Sequence, residues 1–371
     1  MASSSASSVQ EDFSSSLFSQ LDNMGHEQVV FCHDAKTGLK AIIGIHNTTL
    51  GPALGGTRIW NYNNETEALI DVLRLSRGMT YKSSIAGIDL GGGKAVIIGN
   101  SKERANDRDY WLRYGEFIES LGGKYITAED VGTSPDIIKV VAERTNHVAG
   151  KPLDMGGTGD PSPVTARTVY LGMKASAKAV WGKDELNGRS VLIQGGGHVG
   201  QYLAEYLNDE QAKIYLADIN QANIDNLVKR FPSIEVVDPN EVYGLDVDVY
   251  APCALGATVN DDTIPQLKCA IIAGAANNQL GDEDRHSQML IEKGILYAPD
   301  FLINCGGVIN CDAEVKGYSR ERAMEIADEV YEKTLETIRV AQDENISTHA
   351  AALRVAQDRI DQAKKASLAS A

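Results

Sequence analysis

The sequence predicts an α/β fold in two domains, the second built on a Rossmann-type, doubly wound parallel sheet. Three observations lead to this prediction. The chain has 371 residues, more than one hydrophobic core usually holds. Short apolar strands alternate with amphipathic helices along its length. A stretch rich in Gly and Pro, residues 151–163, divides it and is expected to be a hinge. We therefore expect domains at 15–150 and 164–318 with a cleft between them, and helices at 319–371 that pack back on the first domain.

Composition limits the classes of partner. With 43% hydrophobic and 23% charged residues, the chain is typical of globular proteins. A net charge of -16 argues against nucleic acid or anionic membranes as partners. The five cysteines are not spaced as Cys-x-x-Cys and the histidines do not cluster, so we expect free thiols and no metal. The serine-rich residues 1–14 lack the features of a targeting signal, which predicts a disordered extension and a cytoplasmic protein.

The first half begins with two predicted strands, 28–35 and 39–46. A glycine-dense segment, 50–58, follows and ends in an arginine; it is either a plain chain reversal or the wall of a pocket. The apolar spacing of residues 65–77 predicts a helix with one buried face. That helix leads into MTYKSSIAGIDLGGGKAVIIGN at 79–100.

This segment holds two lysines, Lys82 and Lys94. The glycines at 91–93 read as a loop, and the apolar run at 95–98 reads as a buried strand, so Lys94 is expected where the loop enters the strand. A lysine crowded by apolar groups has a lowered pKa and can serve as a general base. The alternative is a solvated lysine after a flexible loop.

A carboxylate pair follows the next predicted strand. A helix at 109–121 precedes a strand at 124–128, which runs into Glu129 and Asp130. Acids at the carboxyl end of a strand, followed by glycine, occupy a site-like position in an α/β fold.

The second half contains a dinucleotide fingerprint. After a predicted helix at 164–181, the strand 190–194 leads directly into GGGHVG and another helix, and a second strand ends at Asp218. The first glycine makes the tight turn, the second allows the pyrophosphate to approach the helix N-terminus, and the third permits close packing. A carboxylate at Asp218 would bind ribose hydroxyls and repel a 2'-phosphate, which favours NAD over NADP.

Three further strands are predicted in this half, at 247–251, near 271–275 and at 295–300. Each runs into small residues, and the last two also into asparagines, at the sheet edge that faces a cofactor in doubly wound folds. From residue 320 the pattern is helical, with another helix at about 350–364.

Several motifs together resemble those of the glutamate/leucine/phenylalanine/valine dehydrogenase superfamily. They are LGPALGGTR at 50–58, RGMTYK ending at Lys82, GGGK ending at Lys94, YITAEDVGT at 125–133, PSPVTA at 161–166, YAPCALGATVNDDTI at 250–264, IAGAANNQL at 272–280 and the APD…INCGG segment at 298–307. The resemblance implies reversible, NAD-dependent oxidative deamination of an L-amino acid to a 2-oxo acid and ammonium.

The resemblance also implies roles for residues. Lys82 would bind the substrate carboxylate, Lys94 would activate water and move protons, and Asp130 would be the second acid/base group. Further substrate contacts would come from Leu54, Gly55, Ala128, Asn278 and Leu302. The family resemblance, the fingerprint and the strand ends together predict the cofactor contacts. These are Thr165, Gly195, Gly197, His198, Val199, Gly200, Asp218, Ile219, Cys253, Ala254, Ala275, Asn277, Asn278 and Asn304.

The implied substrates are branched-chain aliphatic amino acids, namely leucine, valine and isoleucine. An aromatic substrate, phenylalanine or tryptophan, is the alternative, and a regulator without catalysis is a third reading that the presence of both lysines and Asp130 disfavours. A homo-oligomer, dimer or octamer, is expected from the same resemblance.

Overall fold

The computed structural model describes residues 17–370, so the predicted extension at 1–14 lies outside the described residues. Two β-sheets, each covered by helices, organise this part of the chain. The two-domain α/β prediction is confirmed. No helix within the described range is long and apolar enough to cross a membrane.

The first sheet is mixed, with its strands in the order β1-β2-β4-β3-β5. β1 and β2 pair antiparallel, as do β2 and β4, whereas β3 runs parallel to both β4 and β5. Its strands are β1 (Gln28–Asp34), β2 (Leu39–Asn47), β3 (Ala53–Trp60), β4 (Gly91–Ile98) and β5 (Tyr125–Glu129). The carboxyl ends of the three parallel strands therefore lie at one edge of this sheet.

The second sheet is parallel throughout, in the order β11-β10-β9-β6-β7-β8. This is the doubly wound order, with β6 and β9 adjacent where the chain reverses direction. Its strands are β6 (Ser190–Gln194), β7 (Lys213–Ala217), β8 (Glu235–Val236), β9 (Val249–Pro252), β10 (Ile271–Ile272) and β11 (Leu296–Tyr297).

Helices cover both sheets and connect the two halves. They are α1 (Leu17–Met24), α2 (Glu65–Ala86), α3 (Ser101–Arg104), α4 (Arg108–Glu119), α5 (Pro135–Ala142), α6 (Ser162–Trp181), α7 (His198–Asp209), α8 (Gln221–Arg230), α9 (Glu283–Lys293), α10 (Asp300–Ile303), α11 (Gly306–Lys316), α12 (Arg320–Asp328), α13 (Val330–Glu344) and α14 (Thr348–Ser370). Helix α14 packs against α2: Ser84 Oγ donates to the carbonyl of Ala356, and Arg359 donates to the carbonyl of Ile88.

Helix α2 is longer than its apolar pattern predicted. It begins after the N-cap Asn64, whose side chain accepts a hydrogen bond from the Glu67 amide, and ends at Gly87 in the left-handed conformation. The prediction ended the helix at residue 77, because its last turns, which are buried against β4 and α14, carry small and polar residues together with Lys82 and do not continue an apolar stripe. Lys82 thus lies on a helix.

The glycines at 91–93 form a strand, so the prediction of a loop was wrong. They begin β4, and Lys94 lies in the middle of that strand. A β-carbon at Gly92 would lie 2.1 Å from the Thr80 nitrogen, and one at Gly93 would lie 2.8 Å from the Tyr125 ring. These glycines are needed because helix α2 and a tyrosine ring pack directly on the strand.

The glycine-dense segment at 50–58 is likewise mostly strand, because β3 starts at Ala53. A β-carbon at Gly55 would overlap the carbonyl oxygen of Gly93, at 1.7 Å, and one at Gly56 would lie 2.4 Å from the carbonyl oxygen of Glu129. The reading as a chain reversal was therefore wrong. Small residues here let β3 lie between β4 and β5. Strand β4 carries Lys94, and Asp130 directly follows β5.

The segment between the two sheets is held by one buried carboxylate. The side chain of Glu314, on α11, is 1% exposed. It accepts hydrogen bonds from the backbone nitrogens of Gly150 (2.9 Å), Lys151 (3.2 Å) and Thr158 (3.4 Å). Helix α11 thereby fixes the connection between the domains.

Candidate active site

Lys94 and Asp130 form a buried ion pair in the first domain. Lys94 is 6% exposed, and its Nζ lies 3.1 Å from Asp130 Oδ2. Asp130 follows β5, and its backbone nitrogen donates to Thr133 Oγ1 at 2.9 Å, which fixes the turn after the strand. The sequence-based expectation of a lysine in a crowded place agrees with this geometry.

Burial and neighbouring charges shift the pKa values of Lys94 and Asp130. Burial lowers the pKa of Lys94, while the Asp130 carboxylate acts in the opposite direction. Burial acts to raise the pKa of Asp130, but the charges of Lys94 and Arg58 outweigh it and lower that pKa. The geometry thus favours a carboxylate next to a lysine that gives up its proton more readily than an exposed one.

Lys82 reaches across to the second domain. Its Nζ donates to Asn277 Oδ1 at 2.9 Å, and Asn304 Nδ2 donates to the same oxygen at 2.9 Å. Within residues 17–370, Lys82 has no carboxylate within 4.0 Å. Burial lowers the pKa of Lys82, and the Lys94 charge contributes in the same direction. The two lysines and Asp130 are therefore close enough to interact electrostatically.

The glycine loop of the second domain has the geometry of a dinucleotide site. Gly195 has φ of +113°, and a β-carbon at Gly200 would lie 2.1 Å from the carbonyl oxygen of Gly195. Gly197 caps α7 without a side-chain hydrogen bond, and no atom lies within 4 Å of a β-carbon placed on it. The first amides of α7 are therefore open to a phosphate group.

Asp218 lies at the end of β7, beside this loop. Its Oδ2 accepts from the Gly196 nitrogen at 2.7 Å and its Oδ1 from the Asn220 nitrogen at 2.7 Å. Burial opposes ionisation, but these hydrogen bonds lower the pKa of Asp218. An ionised carboxylate oriented by the glycine loop fits the ribose of NAD.

The other predicted cofactor residues lie along the carboxyl edge of the second sheet or facing it. Asn304 is 6% exposed, and its Oδ1 is buried without a hydrogen-bond partner, which suits it to receive an amide group. Asn278 has a positive φ of 51°. His198, Ile219, Ala254, Asn277 and Asn278 are exposed; Val199, Cys253 and Ala275 are half-buried; Thr165 is buried at the start of α6.

An apolar cluster adjoins the ion pair. Leu54 and Ala128 pack in it together with Val308, on α11. Ala128 and Val308 keep 8% and 7% of their surface exposed, whereas Leu54 is 1% exposed. Gly55 lies next to Leu54 within β3 and accepts a hydrogen bond from the Tyr125 hydroxyl.

Leu302 does not join this cluster. It is fully buried on α10 and packs in the core of the second domain, so the structure does not bring it together with Leu54 and Ala128. Leu302 was expected in the pocket from the family resemblance, and the sequence analysis missed Val308. The apolar pattern of α11 gives no signal for it, because Val308 packs with Leu54 and Ala128, which lie on elements distant in the sequence.

An open glycine loop, an oriented acid at Asp218 and a facing lysine–aspartate pair define an NAD-binding oxidoreductase. Two family models match the chain: one described as Glu/Leu/Phe/Val dehydrogenase, dimerisation domain, over residues 26–147, and one described as Glutamate/Leucine/Phenylalanine/Valine dehydrogenase, over residues 215–367.

Similar proteins support the same assignment. The leucine dehydrogenase of Geobacillus stearothermophilus is 49% identical over 350 residues, which cover 94% of this chain and 95% of that protein. The L-tryptophan dehydrogenase of Nostoc punctiforme is 47% identical over 350 residues, covering 94% and 97%. A crystal structure of L-tryptophan dehydrogenase from Nostoc punctiforme superimposes with a TM-score of 0.85 at 45% identity, covering 94% of this chain and 100% of that one.

The chain belongs to the Glu/Leu/Phe/Val dehydrogenase family. It is accordingly an enzyme, an NAD-dependent dehydrogenase that acts on the CH–NH₂ group of an amino acid. The resemblance stated from the motifs is confirmed, as are NAD as the cofactor and the two-domain fold.

Proposed function

We propose that this enzyme reversibly deaminates a branched-chain aliphatic L-amino acid, leucine as well as valine and isoleucine, to the 2-oxo acid and ammonium. One observation carries the proposal. The buried Lys94–Asp130 pair, the Lys82 ammonium group, which has no carboxylate partner among the described residues, and an apolar cluster that contains Leu54 and Ala128 are carried by strands β3, β4 and β5, the turn after β5 and helix α2, which packs on β4. These three parts suit an α-amino carboxylate with an aliphatic side chain.

Lys82 holds the substrate carboxylate. Among the described residues, its ammonium group donates to the side-chain amide oxygen of Asn277, and a carboxylate is a better acceptor that would bind more strongly. Asn278 lies next to Asn277 and is exposed with its backbone in the left-handed region. We assign it to the same end of the substrate, between the two domains.

Lys94 serves as the general base. Bound NAD would supply the acceptor for the hydride that leaves the substrate Cα, so that this carbon becomes part of an iminium group. Neutral Lys94 takes a proton from water as the oxygen adds to the iminium carbon, and returns that proton to the nitrogen. The hydroxyl group then gives its proton to Lys94 as the C=O bond forms and ammonia leaves. The lowered pKa of Lys94, due first to burial, places its proton exchange nearer to neutral pH.

Asp130 is the second acid/base group. Its Oδ2 is 3.1 Å from Lys94 Nζ, close enough for direct proton exchange between them. As a carboxylate it also stabilises the ammonium form of Lys94 that arises after water is deprotonated. Loss of either group therefore affects both the addition of water and the departure of ammonia.

The second domain holds the cofactor through the contacts predicted from the fingerprint. The α7 amides suit the pyrophosphate and Asp218 suits the ribose hydroxyls, and we assign Thr165 and Asn304 to the nicotinamide end. The remaining contacts are proposed at the edge of the second sheet: Gly195, Gly197, His198, Val199, Gly200, Ile219, Cys253, Ala254, Ala275, Asn277 and Asn278.

Leu54, Ala128 and Val308 supply the wall for the substrate side chain. All three are apolar, and the alanine leaves room for a branched chain. One methylene in such a pocket changes the free energy of transition-state binding by about 1–3 kcal/mol. Leucine, valine and isoleucine are thus all expected to react.

An aromatic substrate is the second candidate. The observation that favours it is the similarity to the L-tryptophan dehydrogenase of Nostoc punctiforme and to the phenylalanine dehydrogenase of Thermoactinomyces intermedius, which is 44% identical over 345 residues. Val308→Ala would enlarge the apolar wall. We expect that variant to gain relative activity on phenylalanine.

The test is kcat/KM with NAD for leucine, valine, isoleucine, phenylalanine, tryptophan and glutamate, in both reaction directions. The highest values are expected for the branched aliphatic substrates. A higher value for phenylalanine or tryptophan in the wild-type enzyme would replace the aliphatic assignment by the aromatic one. Comparison with Val308→Ala shows whether the apolar wall sets that ranking.

We also propose a homo-oligomer, dimer or octamer, working in the cytoplasm. The description of the first matching family model as a dimerisation domain supports assembly. All five cysteines are free, which suits a reducing compartment. Light scattering coupled to gel filtration would give the subunit number.

A further inference from the structure

Arg58 contacts the same oxygen of Asp130 as Lys94 does. Arg58 lies near the end of β3, and its Nε donates to Asp130 Oδ2 at 3.0 Å. Lys94 Nζ is 3.1 Å from that oxygen, and neither contact involves Oδ1. Lys94 and Arg58 therefore contact the same carboxylate oxygen of Asp130.

The other end of the guanidinium group is also fixed. Arg58 Nη1 donates to Asp71 Oδ2 at 3.1 Å, and Asp71 lies on α2, the helix that carries Lys82. Tyr62 donates its hydroxyl proton to the same Asp71 oxygen at 2.6 Å. A chain of hydrogen bonds therefore runs from helix α2 through Asp71 and Arg58 to Asp130.

We propose that Arg58 is a positioning residue for the reaction: with Asp71 as its counter-ion, it fixes the orientation of the Asp130 carboxylate, with Oδ2 toward Lys94, and sets the charge that Lys94 experiences. This inference rests on the proposed function of the Lys94–Asp130 pair. Arg58 itself does not exchange a proton with the substrate.

An arginine suits this position for a geometric reason. Its planar fork donates to two carboxylates in fixed directions, whereas a lysine is a single point charge. Arg58 is a quarter exposed and Asp130 is 23% exposed, so both bonds are only partly screened by water. Burial acts to lower the pKa of Arg58, but Asp130 and Asp71 outweigh it, and the net pKa is raised.

Several charges act on the pair, and their signs make the proposal testable. The groups are Lys94 on β4, Glu129 at the end of β5, Asp130 directly after it, Arg58 on β3, and Asp71 and Lys82 on α2. Burial is the main cause of the lowered pKa of Lys94; Asp130 opposes it, Arg58 adds to it and Asp71 opposes it. Removing the Arg58 charge and removing the Asp71 charge should therefore move the pKa of Lys94 in opposite directions.

The experiment is the pH profile of kcat/KM for amino-acid oxidation by Arg58→Gln, Arg58→Lys and Asp71→Asn. On the acid side of this profile, kcat/KM falls as Lys94 becomes protonated, and we call this fall the acid limb. In Arg58→Gln the acid limb should move to higher pH, because the pKa of both Lys94 and Asp130 rises. It should move to lower pH in Asp71→Asn and stay in place in Arg58→Lys. In Arg58→Gln, kcat should fall by roughly 10- to 100-fold, part of the full effect of a general acid–base group, with little change in the KM for the amino acid.

Arg74→Gln is the matched control. Arg74 lies one turn from Asp71 on α2 and is exposed, and no bond joins it to Asp130 in the described network. Its variant should keep the wild-type profile. Circular dichroism and thermal unfolding of each variant identify changes that only reflect loss of folded protein.

Shifts of the acid limb in the same direction in Arg58→Gln and Asp71→Asn, or no shift in either, would overturn the proposal. So would a fall in kcat that follows only the folded fraction. If Arg58→Gln does not fold, the unchanged limb of Arg58→Lys and the downward shift of Asp71→Asn still decide the matter. A wild-type enzyme that oxidises no amino acid would instead reject the proposed function, which separates the two failures.

Discussion

The contact between helix α2 and strand β4 is the feature whose perturbation we expect to connect stability with catalysis. A β-carbon at Gly92 would lie 2.1 Å from both the backbone nitrogen and the Oγ1 of Thr80. Thr80 is buried on α2, two residues before Lys82, while Gly92 lies two residues before Lys94 on β4. Gly92→Ala therefore forces apart the two elements that carry the lysines.

The size of the effect follows from the geometry. Ordinary contacts of a β-carbon begin near 3.4 Å, so helix and strand must separate by about 1 Å, and overpacking of this kind costs about 1–3 kcal/mol or somewhat more. One of the two Thr80 atoms in contact is the backbone nitrogen, which cannot rotate away as a side chain can. A displacement of about 1 Å between reacting groups can lower the rate by roughly 100-fold.

The assay is urea unfolding together with steady-state kinetics, and Gly78→Ala is the matched control. Gly78 lies on the same helix, and no atom lies within 4 Å of a β-carbon placed there. In a helix interior, alanine is favoured over glycine by roughly 0.5–1 kcal/mol. Gly78→Ala should therefore have an unchanged or higher free energy of unfolding and full activity.

The reasoning fails if Gly92→Ala unfolds at the wild-type urea concentration and keeps wild-type kcat. It also fails if both alanine variants are destabilised equally, because the cost would then reflect glycine replacement in general. A stable Gly92→Ala protein with strongly reduced kcat would mean that the structure relaxes by moving one lysine relative to the other.

Three other outcomes are expected. Lys94→Ala should lower kcat by roughly 100-fold or more, as for loss of a general base, while NAD binding measured by calorimetry is retained; wild-type turnover would reject the assignment. Asp218→Ser should raise kcat/KM with NADP relative to NAD, since the carboxylate that repels a 2'-phosphate is gone, and an unchanged ratio would contradict its ribose role. Glu314→Ala should lower the free energy of unfolding by about 2–3 kcal/mol, because buried amides of the connection between the domains lose their acceptor; wild-type stability would show that water replaces the carboxylate.

The cofactor half of the fold was predictable because its signal is local. Strand β6, the glycine loop, helix α7 and strand β7 follow one another without interruption. Gly200 is required by the carbonyl of Gly195, five residues before it. Nothing outside the unit is needed to predict it.

The substrate half was predictable in its residues but not in its geometry. The glycines at 91–93 satisfy neighbours that are distant in sequence, Thr80 on a helix and Tyr125 on another strand, so no local pattern separates such a strand from a loop. The last turns of α2 do not continue an apolar stripe for the same reason, since β4 and α14 cover small and polar residues there. Val308 was missed because its role depends on its packing with Leu54 and Ala128, which lie on other elements.

This packing has an electrostatic consequence for the site. Because Gly92 lets α2 lie directly on β4, the ammonium groups of Lys82 and Lys94 come close enough for the charge of Lys94 to disfavour that of Lys82, in addition to burial, which is the larger cause. Only Lys94 has a carboxylate within hydrogen-bonding distance, that of Asp130, among the described contacts of the two lysines. A bound substrate carboxylate would supply the missing counter-charge at Lys82, which relieves the repulsion that Lys94 experiences and raises its pKa. Substrate binding and the proton affinity of the general base are therefore coupled through the same close contact of helix and strand.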